Sequence, residues 1–223
     1  MQTLRAQTGL TSRAAGQPSG KTVELAPGVA LACFTMKFAR NEEVFVEEEE
    51  ADFVYKVISG AVRAVRILGD GRRQISAFHL PGDVFGLECG ELHRQSAEAV
   101  VDSEVALVRR SVVEKAAQAD GSVARKLWRE TSGDLQRMQD HLLRLGRETA
   151  LERVASFLIE LSDRCECGGA VALPMGRLDI ADYLGLTIET VSRTLTQLER
   201  DHAISIPNAR SVVLHDALAR SAC

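Results

Sequence analysis

The segment RLDIADYLGLTIETVSRTLTQLERDH, residues 177–202, places the strongest constraint on how this chain folds. Its apolar residues recur at helical spacing on both sides of Gly185, which predicts two short helices joined by a tight turn. Ala181 is small enough to let the helices approach, and Gly185 suits a left-handed turn position. The apolar wedge between the helices is expected to comprise Ile180, Leu184, Leu186 and Val191. A helix-turn-helix is therefore predicted.

The second predicted helix has two chemically different faces, and Thr187 is expected to be its N-cap. The face predicted to be buried carries Ile188, Val191, Leu195 and Leu198. The opposite face carries Glu189, Ser192, Arg193 and Thr196. In a helix-turn-helix the outward face of the second helix meets DNA, so we interpret these polar residues as more than a solvated salt bridge.

The polar face has the chemistry needed to read base edges. Arg193 can pair with O6 and N7 of guanine, and Glu189 can accept a hydrogen bond from N4 of cytosine. Glu189 stands four residues before Arg193 and could also hold its guanidinium, while Ser192 could contact a base or a phosphate. The predicted DNA contacts are Thr187, Glu189, Thr190, Ser192, Arg193, Arg200 and Arg210.

The residues before and after the helix-turn-helix predict the rest of the architecture. Residues 30–110 are rich in Val, Ile, Phe and Tyr, and turn signals such as GDG (69–71) and PGD (81–83) separate short strands, which predicts an antiparallel β-roll or jelly roll. Residues 149–223 are predicted to form a winged helix-turn-helix whose wing, AISIPNARSVVLHD, turns near Pro207–Asn208. The fold class is therefore α+β, with residues 1–29 as a flexible polar lead-in.

Residues 111–148 change to a heptad period and predict one long helix. Its narrow apolar stripe is bordered by Arg, Asp and Gln, which favours pairing with a second copy over packing on the chain's own β-roll. Thr131 interrupts this stripe. The predicted dimerisation residues are Leu127, Leu135, Met138, Leu142 and Leu145.

Composition limits the remaining classes of protein. The five cysteines, Cys33, Cys89, Cys165, Cys167 and Cys223, are irregularly spaced and are expected to be free thiols without metal or disulfide. No apolar run reaches the length of a membrane span, and the N-terminus lacks the apolar core of a secretory signal, so we expect a cytoplasmic protein. The net charge of −4, with seven Arg against ten Asp or Glu from residue 151 onward, predicts modest non-specific DNA affinity.

In this order of parts the chain resembles the cAMP receptor protein/FNR superfamily of bacterial transcription regulators. FHLPGDVFG (78–86) looks like the glycine-bearing turn of the family's β-roll, and DIADYLGLTIETVSRTL (179–195) is similar to its FNR and FixK branches, most of all FixK. The resemblance implies a homodimer on palindromic double-stranded DNA with TTGA-type half-sites read by Glu189, Ser192 and Arg193. It also implies an activator that works with RNA polymerase on genes for low-oxygen respiration or nitrogen fixation.

The stretch GLECGELHRQSAEA (86–99) departs from the family members that bind cyclic nucleotides. Leu87 stands in place of their Glu, Gln95 precedes Ser96 in place of their Arg, and Arg94 is one position away. Residues 1–32 contain no Cys that could hold an iron–sulfur cluster, and His79 is interpreted as structural rather than as a haem ligand. We expect no cofactor. The alternatives are an effector-gated sensor of the same fold, binding a nucleotide or haem, and a cupin-like metal enzyme, against which the absence of a His-x-His motif in the roll speaks.

Overall fold

The computed structural model describes residues 21–88, 90–165 and 170–215. Of these residues, those up to Arg66 and Ser76–Leu135 pack as a first unit, and Ile67–Ile75 with those from Gln136 onward pack as a second. Cys33 is a buried free thiol, whereas Cys89, Cys167 and Cys223 lie outside the described residues.

Short strands build most of the first unit, although Ile67 of the fifth strand and Arg73–Ile75 of the sixth pack with the second unit. They are β1 (Lys21–Ala26), β2 (Val29–Phe38), β3 (Glu43–Phe45), β4 (Phe53–Ser59), β5 (Val62–Ile67), β6 (Arg73–His79), β7 (Val84–Phe85), β8 (Ser96–Ala99) and β9 (Ser103–Arg109). One sheet has the order β1-β2-β9-β4-β7 and the other β3-β8-β5-β6. The pairs β1–β2, β2–β9, β4–β9 and β5–β8 are antiparallel, so the predicted antiparallel roll is confirmed.

Strand β1 begins earlier than the sequence predicted. It lies within residues 1–29, which the sequence assigned to a flexible lead-in, and it pairs with β2 so that Lys21 stands opposite Cys33. Val23 and Leu25 are two residues apart and therefore point to the same side, where Leu25 is 2% exposed and Val23 packs against the same core cluster. This pairing and burial make the segment part of the roll.

The long helix predicted over 111–148 is divided into α1 (Arg110–Ala119) and α2 (Gly121–Arg147). The break lies at Asp120, whose backbone is extended with φ −138° and ψ 108°. Its carboxylate accepts hydrogen bonds from the backbone N–H and the hydroxyl of Ser122, both at 2.7 Å. Asp120 thus ends α1 and caps the start of α2. Aspartate favours such positions because its side chain can hydrogen-bond to nearby backbone groups in place of the helical hydrogen bonds.

Three helices and a small sheet make up most of the second unit. They are α3 (Ala150–Cys165), β10 (Ala170–Ala172), α4 (Arg177–Leu184), α5 (Ile188–Arg200), β11 (Ile204–Asn208) and β12 (Ser211–Leu214). The sheet order is β10-β12-β11. The hairpin turns at residues 209–210, next to the predicted position near Pro207–Asn208, and the Asn208 side chain accepts a hydrogen bond from the Arg210 backbone at 2.8 Å within this turn. No described helix is long and apolar enough to cross a membrane.

A buried histidine lies in the core of the second unit. His141 of α2 is 8% exposed, and its ring stacks on that of Tyr183 with centroids 4.0 Å apart. The charged groups that act on it are Glu160 and Arg153 of α3 and Arg144 of its own helix. Burial is the largest influence and lowers the pKa of His141 below its usual value near 6.5, with Arg144 and Arg153 acting in the same direction and Glu160 opposing them.

The low pKa of His141 predicts acid-sensitive stability. Because the folded chain binds this proton less readily than the unfolded chain, stability is complete above about pH 6.5 and falls as the pH drops below that value. One titrating group limits the slope to about 1.4 kcal/mol per pH unit. We expect His141→Phe, which keeps a ring against Tyr183, to flatten this loss in urea unfolding between pH 7.5 and 5.

His202 provides the matched control. It is exposed and has a φ of 54°, a conformation that asparagine tolerates, so His202→Asn should leave the acid sensitivity of unfolding as in the wild type. An unchanged pH dependence in His141→Phe would contradict the role given to His141.

Candidate nucleic-acid interface

The turn between α4 and α5 fixes the geometry of the predicted helix-turn-helix. Gly185 has φ 63° and ψ 38°, the left-handed conformation, and its backbone N–H donates to the carbonyl of Ala181. The backbone N–H of Leu186 donates to the same carbonyl at 3.0 Å. In L-residues, which carry a Cβ, this conformation costs roughly 1–2 kcal/mol. Glycine has no Cβ, so Gly185 allows the sharp change of direction.

Apolar packing determines which side of α5 faces outward. Val191, Leu195 and Leu198 are buried, as are Ile180 and Leu184 of α4, so most of the predicted buried face is in place. Full burial of a side chain of this size contributes about 1.5–3 kcal/mol. The opposite side of α5 is therefore held toward solvent.

Ile188 does not belong to the buried face, contrary to the prediction. Its side chain is 40% exposed, because it is the first residue of α5 and no earlier helical turn covers it. Thr194 is buried in the face that Ile188 was expected to share. Ile188 stands four residues before Ser192 and so lies on the same side of the helix as Ser192. Its spacing of seven from the buried Leu195 places it equally near the apolar face, so the sequence carries no signal for its exposure.

A hydrogen-bond network organises the first turn of α5. Thr187 is the N-cap as predicted, and its hydroxyl oxygen accepts from the backbone N–H of Thr190 at 3.2 Å. Hydrogen bonds from its own backbone N–H and from the Thr187 hydroxyl, together with the charge of Arg193, hold the pKa of the Glu189 carboxyl below its usual value. The guanidinium of Arg193 reaches the hydroxyl of Thr190 at 3.5 Å. In the structure it is therefore Thr190 that lies within hydrogen-bond reach of Arg193, whereas the orientation of Arg193 by Glu189 stays a prediction.

Polar side chains form a stripe along the exposed side of α5. Glu189, Arg193, Thr196 and Arg200 follow one another at spacings of four, three and four residues, and all four are exposed. Ser192 is half-buried beside the stripe, and the backbone carbonyl of Ser192 accepts from the Thr196 hydroxyl at 3.0 Å. Helical rise places Arg200 about 10 Å along the axis from Arg193.

Arg210 lies in the turn of the β11–β12 hairpin, where the sequence placed a wing. Its side chain is exposed, and its guanidinium donates to the backbone carbonyl of Pro174. This hydrogen bond ties the hairpin to the segment that precedes α4.

Several of the acidic side chains of the second unit are engaged in contacts of their own. Glu160 forms ion pairs with Arg144 and with Arg164. Glu152 accepts from the backbone N–H and the hydroxyl of Thr149 at 2.7 and 2.8 Å, which caps the start of α3. Glu160 is therefore paired with arginine, whereas Glu152, whose partner is uncharged, keeps its negative charge.

Aromatic rings fill part of the interior of the β-roll. The rings of His79, Phe85, Tyr55, Phe45 and His93 follow one another, with successive centroid separations of 4.6, 5.2, 5.0 and 3.6 Å. His93 is 2% exposed, and its Nδ1 lies 3.0 Å from a carboxylate oxygen of Glu88. The predicted structural role of His79 fits its stacking on Phe85.

Gln95 and Arg94, which lie where the sequence differs from that of family members that bind nucleotides, also form hydrogen bonds within the roll. The side-chain oxygen of Gln95 accepts from the hydroxyl of Ser76 at 2.7 Å, and the Arg94 backbone donates to Glu88 at 3.3 Å. Among the described residues no group of three His, Cys, Asp or Glu side chains is arranged to hold a metal ion.

The second candidate surface is an apolar face of α2. Trp128, Leu135, Met138 and Leu142 are between 50 and 75% exposed and recur at spacings of seven, three and four residues, with exposed Thr131 at the intervening heptad position. The predicted member Leu127 is 9% exposed and packs in the core of the first unit with Val54 and Val108, and Leu145 is half-buried. Trp128, which the sequence reasoning missed, takes the place of Leu127 in the heptad.

Comparison with known proteins identifies both parts of the chain. A family model described as a cyclic nucleotide-binding domain matches residues 35–120, and one described as a Crp-like helix-turn-helix domain matches residues 152–219. The chain is 53% identical over 184 residues to the nitrogen fixation regulation protein FixK of Azorhizobium caulinodans, covering 80% of this chain and 74% of the relative. It is 42% identical over 185 residues to the protein of the same name from Rhizobium meliloti, covering 82% and 84%.

A solved structure supports the same assignment. The structure of FixK2 from Bradyrhizobium japonicum is similar with a TM-score of 0.82 and 53% sequence identity, covering 85% of this chain and 97% of that one. The β-roll, the long helix and the helix-turn-helix thus occur together in a relative of the same family. The chain belongs to the FixK group of Crp/Fnr transcription regulators, a family of DNA-binding proteins rather than of enzymes.

Proposed function

We propose that this protein binds DNA as a homodimer, with one α5 helix in the major groove of each half of a palindrome of TTGA-type half-sites. The observation that carries the proposal is the orientation of α5, whose first turns expose Ile188, Glu189 and Arg193, with Ser192 half-buried beside them, while Val191 and Leu195 are buried. A recognition helix reads bases with its N-terminal residues.

The exposed side chains match the base edges of such a half-site. The Arg193 guanidinium pairs with O6 and N7 of guanine, and Glu189 accepts from N4 of cytosine. Ile188 is suited to contact a thymine methyl, since it is the apolar side chain on this face. The phosphate contacts proposed are those of Thr187, Thr190, Arg200 and Arg210.

Dimerisation is proposed through the exposed apolar face of α2. Two copies that pack Trp128, Leu135, Met138 and Leu142 against each other would remove from water the largest run of exposed apolar side chains on this helix. Two-fold symmetry would then present two α5 helices to half-sites about 34 Å apart, one turn of DNA.

We further propose that the protein binds DNA without a small-molecule effector. The aromatic stack fills part of the roll's interior, and Gln95, which stands in place of the arginine of nucleotide binders, is hydrogen-bonded to Ser76. The names of the relatives support control of nitrogen-fixation genes. From the family resemblance we propose low-oxygen respiration genes as the alternative target, and activation through RNA polymerase in the cytoplasm. The second candidate is an effector-gated regulator, supported by the match of residues 35–120 to the cyclic nucleotide-binding model.

Arg193 is predicted to read guanine. Arg193→Ala should weaken binding to the TTGA palindrome by about 1–3 kcal/mol and relax the preference for G at one position. Arg193→Lys is the matched control, because it keeps the charge and loses the bidentate geometry: it should retain non-specific affinity but lose the preference for G. Fluorescence anisotropy with duplexes substituted at each position measures both, and a preference for G that survives in Arg193→Ala would exclude this role.

Ile188 is predicted to contact a thymine methyl. A duplex in which that thymine is replaced by uracil lacks the methyl group, so the wild type should bind it about 0.8 kcal/mol more weakly than the normal duplex. In Ile188→Ala the two duplexes should bind alike. A methyl preference that is equal in the wild type and the variant would place Ile188 away from the base.

The α2 face is predicted to hold the dimer. Leu135→Asp together with Leu142→Asp should give a monomer by light scattering, because unpaired buried charges oppose association. Leu143→Asp is the control: Leu143 is also exposed but lies one residue off the heptad positions, so that variant should remain a dimer. A dimer in the double variant would show that the interface lies elsewhere.

A further inference from the structure

A short segment of the second unit is bound tightly to the first helix of the helix-turn-helix. The segment is Ile67–Ile75, which runs from the last residue of β5 to the first three residues of β6, and the helix is α4. The guanidinium of Arg73 donates to Asp179 and to Asp182 at 2.7 Å each. The side-chain amide of the next residue, Gln74, donates to the backbone carbonyl of Asp182, also at 2.7 Å.

These contacts are shielded from water. The side chains of Arg73, Asp179 and Asp182 are 24%, 12% and 20% exposed. A guanidinium that engages two carboxylates at this distance forms strong, directional hydrogen bonds, and burial weakens the screening by salt. The contact therefore differs from an ordinary surface ion pair, which contributes little.

The same helix face determines the position of α5. Asp179 accepts from the backbone N–H of Gly176 at 3.3 Å and so also belongs to the cap of α4. Ile180, Ala181 and Leu184 of α4 are buried in the helix-turn-helix. We call the contacts of Arg73 and Gln74 with Asp179 and Asp182 the clamp. Because the clamp holds the polar side of α4, it limits how far α4, and the α5 helix packed on it, can turn.

We propose that Arg73 and Gln74 are positioning residues for DNA binding, which hold α4 through Asp179 and Asp182 in the arrangement that lets α5 read DNA. The clamp would supply from within the chain the restraint that an effector supplies in a gated regulator. This inference rests on the proposed function, since it concerns the regulation of the same DNA-binding helix.

The neighbouring arginine offers a matched control. Arg72 pairs with Asp70 within the same turn at 2.7 Å, and its side chain is 78% exposed. Arg72→Ala therefore removes the same charge one residue away and leaves the contacts to α4 intact.

The first experiment measures affinity of the full chain for the TTGA palindrome over a salt series. Arg73→Ala and Asp182→Ala should each weaken binding by about fivefold or more, the range of typical coupling between sites, and the double variant should be no weaker than the worse single variant. Arg72→Ala should bind as the wild type does, and the dependence on salt should be unchanged throughout. Unchanged affinity in Arg73→Ala would overturn the proposal.

The same series separates a clamp from a direct phosphate contact. If Arg73 touched DNA, Arg73→Ala would lower the salt slope by about one, and Asp182→Ala would bind DNA as tightly as the wild type or more tightly because a negative charge is removed. That pattern would overturn the proposal.

Hydrogen exchange of the DNA-free protein tests the clamp independently of DNA binding. The backbone amides of α4 should exchange faster in Arg73→Ala and in Asp182→Ala than in the wild type, although alanine is the better helix former at position 182. Unchanged exchange of α4 in both variants would overturn the clamp. Failure of the wild type to bind the palindrome would instead count against the proposed function, and the exchange result would still decide whether the clamp exists.

Discussion

The packing of α5 on α4 is the interaction on which the rest of this site depends. Burial of Val191, Leu195 and Leu198 leaves one rotation of α5 available, and that rotation turns Glu189 and Arg193 outward. Gly185 makes the packing possible by adopting a left-handed conformation between the helices. Replacing the buried leucines with smaller residues would thus change which side chains could face DNA, as well as the stability of the fold.

Each of the two units contains polar side chains that are largely shielded from water. In the roll, His93 is buried against Phe45 and bonded to Glu88, so part of the interior is filled by the protein's own side chains. In the second unit, the guanidinium of Arg73 lies against the carboxylates of Asp179 and Asp182 of α4, and all three side chains are at most 24% exposed. Both arrangements fix their surroundings through the chain's own side chains, as the proposed function requires.

Sequence periodicity was enough to predict the β-roll, the long helix and the helix-turn-helix, since each has its own spacing of apolar residues. Predictions from periodicity were wrong where tertiary packing determines which of two neighbouring residues is buried. Leu127 and Trp128 are adjacent, and the depth of the roll's core rather than the heptad decided that Leu127 is buried and Trp128 exposed. Ile188 fits the apolar face by type, but its place at the start of α5 exposes it.

The contact between Arg73 and α4 was beyond sequence reasoning for a different reason. Arg73 and Asp179 are 106 positions apart, no sequence pattern pairs them, and only the folded chain brings them together. The break at Asp120 and the hairpin turn at residues 209–210 involve local side-chain hydrogen bonds, which periodicity does not detect.

The most direct test of effector-free recognition by α5 is selection of bound sequences from a random duplex library with the purified protein and no added ligand. Enrichment of inverted repeats with TTGA-type half-sites, centred about one helical turn apart, is the predicted result. Recovery of no motif without ligand, or of a motif that appears only when a nucleotide or haem is added, would contradict it.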